Sequence, residues 1–312
     1  MSIYLVTGGA GFIGSHIVES LVSHGKKVRV IDNLSTGNID NLAYLINDIE
    51  FIESDIRDIN LLDKAMKGVD FCFHEAALPS VARSVNDPIT VNQVNTDGTL
   101  NLLFAAKNNK IKRFIYASSS SAYGDSPSLP KKEDMKSNPL SPYAVSKLTG
   151  EYYCRVFYSV YGLNTVCLRY FNVFGPRQDP NSQYAAVIPK FITCFLKNTA
   201  PQIYGNGEQS RDFTYIDNVV SANMLAAEAK NASGQVLNIA CGRQTSLNDL
   251  VKLLKNLLSS EVKPDYLEPR QGDIKHSLAD ISKAMDMLGY SPKTSFEQGI
   301  KKTIAWHKDN KL

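Results

Sequence analysis

The stretch TGGAGFIG, Thr7 to Gly14, decides how the rest of the chain is read. It follows an apolar run, Ile3 to Thr7, and leads into Ile13, Ile17, Val18, Leu21 and Val22, which recur at helical spacing as far as Gly25. That is strand, tight glycine turn, helix. In such a turn Gly8, Gly11 and Gly14 let the backbone approach a pyrophosphate, while Phe12 and Ile13 open a helix whose unpaired amides and partial positive charge face the same spot. The next run, Lys27 to Ile31, ends in Asp32, near the ~20-residue offset at which a carboxylate grips ribose hydroxyls and repels a 2′-phosphate. NAD rather than NADP is the expected cofactor.

The alternation then continues. Ile39, Leu42, Leu45 and Ile46 stand at helical spacing before a strand from Glu50 to Ser54; after it, Asp55 and Ile56 either clasp an adenine or cap the next helix. A helix from Leu61 to Met66 leads to a strand from Phe71 to Glu75 and its small-residue exit, Ala76 and Ala77. A helix around Asn95 to Asn108 leads to a strand from Phe114 to Ala117. Strands alternating with helices imply an α/β, doubly wound parallel sheet of the Rossmann kind, with ligands at the strands' carboxyl ends.

The last of these strands runs into SSSSAYG, Ser118 to Gly124, and SPYAVSK follows from Ser141 to Lys147. Tyr143 and Lys147 lie four residues apart, one turn along a helix that Pro142 helps to start, so phenol and ammonium face one place. A free tyrosine titrates near ~10, and an adjacent cation favours its phenolate. The pair reads as a tuned proton donor and acceptor, or as an ordinary surface pair. Its position after a serine-bearing strand end favours the first, because a serine hydroxyl there can join the same network.

Composition narrows the partners. The 312 residues suffice for one large α/β domain with an appended lobe. A net charge of +3, with no basic run to track a phosphate backbone, points away from nucleic acid. Cys72, Cys154, Cys167, Cys194 and Cys241 are scattered, odd in number and never paired as CxxC, so neither a disulfide framework nor a metal site is expected. No leader or membrane-spanning stretch is evident, and a cytoplasmic address with no membrane partner is the expectation.

With these motifs in view, the chain resembles the extended short-chain dehydrogenase/reductases, and within them the UDP-sugar 4-epimerases. TGGAGFIG, VIDNLSTG, SDIRD, HEAA, SSSSAYG, SPYAVSK, LRYFNVFGPRQ, GNGEQSRDFTYIDN and RQGDIKHSLADISKA occur in family order over nearly the whole chain. The resemblance implies Ser119, Tyr143 and Lys147 as catalytic residues. It implies NAD contacts at Asp32, Asn33, Ser35, Gly37, Asp55, Ile56, Ala76, Ala77, Asn95 and Tyr170, beside the glycine turn, Tyr143 and Lys147. Ser120 and Ser121 would face the hexose. Four consecutive serines leave that register open by one residue.

Residues 1–170 are expected to form the NAD-binding domain and 171–312 a smaller α/β lobe for the UDP-sugar, with the chain able to cross back to the first part. By resemblance, Asn172, Val187, Tyr204, Arg211, Arg270 and Asp273 bind the UDP portion, arginine being suited to a diphosphate through its fork of donors. Ala186 and Ser277 are small where the family lines the sugar pocket, which implies UDP-GlcNAc and UDP-GalNAc as substrates along with UDP-Glc and UDP-Gal. The dehydratases and decarboxylases of this fold carry acids where Ser120 and Ser121 stand, so water loss or decarboxylation is the less suited outcome; UDP-glucuronate 4-epimerization stays open. A non-catalytic NAD-sensing regulator would lack the tyrosine or the lysine. A homodimer is expected, joined through the helices near Asn95 to Asn108 and Tyr143 to Tyr161. The tail residues Phe296, Ile300, Ile304 and Trp306 are expected in the core.

Overall fold

The computed structural model describes residues 2–179, 186–269 and 275–310. The first part of the chain runs β1 (Ile3–Thr7), α1 (Phe12–Ser23), β2 (Lys27–Asp32), β3 (Ile49–Glu53), α2 (Ile59–Ala65), β4 (Val69–His74), α3 (Val81–Asn86), α4 (Pro88–Asn92), α5 (Gly98–Asn108), β5 (Arg113–Ser119), α6 (Pro142–Tyr161) and β6 (Thr165–Tyr170). The second runs β7 (Val173–Phe174), α7 (Val187–Leu196), β8 (Gln202–Tyr204), β9 (Ser210–Arg211), β10 (Thr214–Tyr215), α8 (Ile216–Glu228), β11 (Gln235–Ile239), β12 (Thr245–Ser246), α9 (Leu247–Leu258), β13 (Asp265–Leu267), α10 (Ser282–Leu288) and α11 (Phe296–Asp309). Seven strands pair in parallel in the order β11-β6-β5-β4-β1-β2-β3. The edge strand β11 comes from beyond residue 170 and pairs with β6 from Gln235↔Val166 to Ile239↔Tyr170.

Strand alternation sends neighbouring side chains to opposite faces of this sheet. Leu5 joins Ile31, Leu102 and Cys154 on one side, whereas Val6 joins Ile17, Val30 and Ala222 on the other. Both faces are therefore apolar and covered by helices, as a parallel sheet requires. On the first face α6 is delimited by its own residues. Ser141 caps it by accepting from Ala144 N at 3.1 Å, a contact of the kind worth ~1 kcal/mol, and Pro142 occupies its first turn. Gly162, at φ 70°, closes it in the left-handed conformation that glycine adopts most readily.

Two local expectations change. The Ile39–Ile46 spacing forms a 3-10 helix, Ile39–Leu45, with Asn38 as its N-cap accepting from Asp40 N at 3.0 Å. The helix expected from Asn95 is preceded by α3 and α4 and begins in a π-helical turn, Gln93–Asp97. Asp87 caps α4 through Thr90 N at 3.1 Å with Pro88 in the first turn, an aspartate-proline start signal that the spacing of apolar residues does not report.

Candidate active site

Because the sheet is parallel, the ends of its strands meet along one edge, and a cavity of about 990 Å3 runs along it. At its centre is the turn after β1. Gly8 has φ +69°, and a Cβ there would lie 2.6 Å from Ala76 N; a Cβ on Gly14 would lie 2.1 Å from Gly8 O. These contacts hold α1 against β1 and β4. Gly11 is the N-cap of α1, with extended backbone and no capping side chain, so the first amides of this 12-residue helix face the cavity beside Phe12 and Ile13.

At the end of β2, the buried Asp32 carboxylate accepts from Ala10 N at 3.0 Å and Leu34 N at 2.8 Å. Burial pushes its pKa up, and those two amides oppose the rise. A Cβ on Gly37 would stand 2.9 Å from its Oδ1, so only glycine lets the loop carrying Asn33 and Ser35 fold this close. Beyond β3, Asp55 receives the Arg57 guanidinium at 2.7 and 2.9 Å and Asn33 Nδ2 at 2.9 Å. Arg57 holds its carboxyl down to about 2. Of the two roles left open for Asp55, capping falls to Asp58, which accepts from Asn60 N and Leu61 N, while Asp55 and Ile56 line the cavity. Two acids to one side of an uncapped helix start, in a cavity of this length, fit a dinucleotide with its adenosine half toward Asp32.

Ala76, Ala77, Tyr143, Lys147 and Tyr170 line the other half. Asn95 is not among the lining residues. Its side chain receives Leu78 N at 2.8 Å and donates to Leu78 O at 3.2 Å and Ser146 Oγ at 3.1 Å, fixing the wall after β4 to the residue that precedes Lys147. His74 is likewise internal: it bridges Thr7 Oγ1 and Thr99 Oγ1, both at 2.8 Å, and burial depresses it to about 3, leaving the ring neutral.

Strand pleat sends the first two serines to different partners. Ser118 lines the cavity and donates to Glu151 Oε1 at 2.5 Å, whereas Ser119, which is not among the lining residues, accepts from Ser121 Oγ at 2.9 Å and lies close enough to the Tyr143 phenol to act on it. Ser120 and Ser121 open the short 3-10 turn that follows. Lys147 Nζ donates to Ala117 O at 2.8 Å and sits over the Tyr116 ring. Burial pushes its ammonium down, and Glu75 opposes this. The Tyr143 phenol is pushed up by desolvation, with the Ser119 hydrogen bond opposing and the Glu75 charge adding to the rise. Removal from water is the largest influence on the phenol.

A second cavity, of about 370 Å3, is lined by Asn172, Val187, Tyr204 and Arg211 and joins the first at Ala186, which lines both. Arg211 Nη1 donates to Ser210 O at 3.0 Å and Lys275 O at 3.2 Å, and Asn172, at φ 36°, donates to Asp212 O at 3.3 Å. Arg270 and Asp273 lie outside the described residues. Ser277 is half-buried, with its N–H on Ser210 O at 3.0 Å beside the Arg211 strand, and is not among the residues lining either cavity.

Among the lining residues not expected from sequence are Glu75, Lys190, Arg177 and Trp306. Arg177, in a stretch that reads as a turn, reaches Glu19 Oε2 at 2.6 Å and Tyr44 Oη at 2.8 Å and ties the loop after β7 to α1. Ile300 and Ile304 enter the core with Phe296 packed against it, as expected, but Trp306 faces the larger cavity.

Residues 4–240 match the NAD dependent epimerase/dehydratase family. The chain is 41% identical over 308 residues to a putative UDP-glucose 4-epimerase of Methanocaldococcus jannaschii, covering 98% of each. It superposes, at TM-score 0.95 and 46% identity over 99% of each chain, on a UDP-N-acetylglucosamine 4-epimerase from Methanobrevibacter ruminantium in complex with UDP-N-acetylmuramic acid. At TM-score 0.91 and 35% identity, over 99% of each chain, it also superposes on a UDP-glucuronic acid 4-epimerase from Bacillus cereus in complex with UDP-glucuronic acid and NAD.

Proposed function

The chain belongs to the NAD dependent epimerase/dehydratase family, and from that premise we propose that it interconverts UDP-GlcNAc and UDP-GalNAc, and with them UDP-Glc and UDP-Gal. More coarsely, it is a UDP-sugar 4-epimerase, an isomerase that works with NAD. The observation that carries the reading is a phenol and an ammonium, Tyr143 and Lys147, lining the larger cavity, with a cation-bearing pocket that shares Ala186 with it.

When bound, the dinucleotide supplies reversible hydride exchange with carbon 4. Tyr143 takes the proton of the 4-hydroxyl as the alcohol is oxidised and returns it when the ketone is reduced; Ser119 shares that hydrogen bond. Arg211, Tyr204 and Asn172 hold the nucleotide and its diphosphate, so the keto sugar turns about a fixed tether and presents its other face. Arg270 and Asp273 are assigned to the same task.

The choice of sugar rests on the small side chain at Ala186, which lines both cavities, on the family resemblance that puts Ser277 by the sugar, and on the likeness to an epimerase of UDP-N-acetylglucosamine. Ser277→Tyr is expected to lower turnover of the acetamido pair roughly tenfold relative to UDP-Glc and UDP-Gal, the scale on which a pocket rejects added bulk. Product NMR with each substrate reads the ratio; equal losses on both pairs sink the size argument. Inversion of UDP-glucuronate in the same assay would favour a second reading, to which the Bacillus cereus likeness lends weight.

The protein is further proposed to be a homodimer. Phe104 on α5 and Tyr152, Val156 and Val160 on α6 are exposed apolar side chains on adjacent helices. Sedimentation should give twice the chain mass, and Tyr152→Glu should shift it toward the monomer; a monomeric wild type would exclude the assignment.

A further inference from the structure

One carboxyl in the larger cavity has no part in the chemistry above. The strand order places Asp55 and Asp32 at one end of the edge, the glycine turn in the middle and the residue after β4, Glu75, toward the Tyr143 end. A dinucleotide whose first ribose meets Asp32 and whose diphosphate meets the start of α1 thus brings its nicotinamide past Glu75. Glu75 lines the cavity, and its Oε1 receives the Tyr170 hydroxyl at 2.8 Å. That hydroxyl is itself held by Asn223 Nδ2 at 2.8 Å.

The charged and titratable groups around it are Lys147 and Tyr143 from α6, Tyr170 from β6 and the neutral His74 that precedes it at the end of β4. A carboxyl in so dry a place is costly to ionise. Burial pushes it well up, and Tyr170 and Lys147 offset only part of that rise. Oxidised nicotinamide is a cation and reduced nicotinamide is neutral, so a carboxylate at this point interacts with one form and hardly at all with the other.

We propose that Glu75 is the counter-charge of the oxidised nicotinamide, making the protein hold NAD in preference to NADH so that the hydride is returned to the sugar and not retained. The inference rests on the dinucleotide occupying the larger cavity. It assigns no proton transfer to Glu75; its effect is on the balance between the two cofactor forms.

The test is competition between NAD and NADH for protein stripped of cofactor, read by NADH fluorescence. Glu75→Gln is expected to weaken NAD ~10-fold while leaving NADH within about twofold, a modest share of what an opposed charge pair can exert in a buried site. Glu75→Asp, which withdraws the charge by one methylene, should fall between. A 10-fold change in that ratio corresponds to a potential about 30 mV less negative for the bound two-electron couple. Raising the pH removes the carboxyl proton and should strengthen the preference for NAD in the wild type. Loss of charge at Lys147 acts in the same direction, so the discriminating quantity is the difference between wild type and Glu75→Gln across the pH series. Equal weakening of both forms, or an unchanged ratio, overturns the proposal. Should the Gln variant not fold, an unchanged ratio in Glu75→Asp does so. Wild-type protein that binds neither form would overturn the cofactor assignment itself.

Discussion

Tyr143→Phe is expected to lower turnover of a UDP-sugar by about 10³-fold, within the 10²–10⁴ range that a positioned acid or base contributes. The phenyl ring keeps the volume and packing of the side chain and loses only the phenolic oxygen. Cofactor content should therefore be unchanged, because the glycine turn, Asp32 and Lys147 are intact. NMR turnover assays and the absorbance of released dinucleotide measure the two quantities separately. Activity within about tenfold of wild type would remove Tyr143 from the proton path and, with it, the mechanism.

The largest expected loss of stability comes from a residue that touches no ligand. Arg169 Nε and Nη2 reach the two oxygens of Glu151 at 2.7 Å each, and both side chains are 4% exposed. The guanidinium also stacks 4.5 Å from the Tyr123 ring centroid. Arg169→Ala would leave the Glu151 carboxylate buried with Ser118 alone, and breaking such a pair from one side costs about 3–5 kcal/mol. Urea denaturation monitored by circular dichroism gives the figure. Replacing both partners, as Arg169→Met with Glu151→Leu, should recover most of the loss, since apolar substitutes carry no desolvation cost. A single variant within about 1 kcal/mol of wild type would mean that water reaches the carboxylate after all. The pair matters for the site because Glu151 lies on the helix that carries Tyr143 and Lys147, and Ser118 adjoins Ser119.

How much of this was legible beforehand depends on whether a signal was local. The glycine turn, Asp32 at the end of β2 and the Tyr143–Lys147 spacing are patterns within one or two elements, and periodicity exposes them. The four serines carry no such signal. They are chemically identical, and only the pairing Ser118↔Arg169 and Ser119↔Tyr170 decides which partner each of the first two meets. Asn95 matches a contact position in sequence, yet its amide is consumed by Leu78 and Ser146, partners 17 and 51 residues away. Glu75 is one acid at a strand end, and nothing beside it in the chain announces that Tyr170 will come to rest against it. Trp306 was grouped with Ile304 because both are apolar. At about 100° per residue, two positions carry it about 200° around α11, away from the core.

The edge strand β11 has a consequence for how the protein is made. Until residue 239 has left the ribosome, β6 has β5 on one side and nothing on the other, and all six of its residues are ones the finished fold buries. An open, apolar edge of that kind invites pairing with other nascent chains. A gene cut after residue 170 would thus encode a sticky remnant, and any recombination that exchanges the part of the chain beyond residue 170 must carry this returning strand in a form that still matches its neighbour.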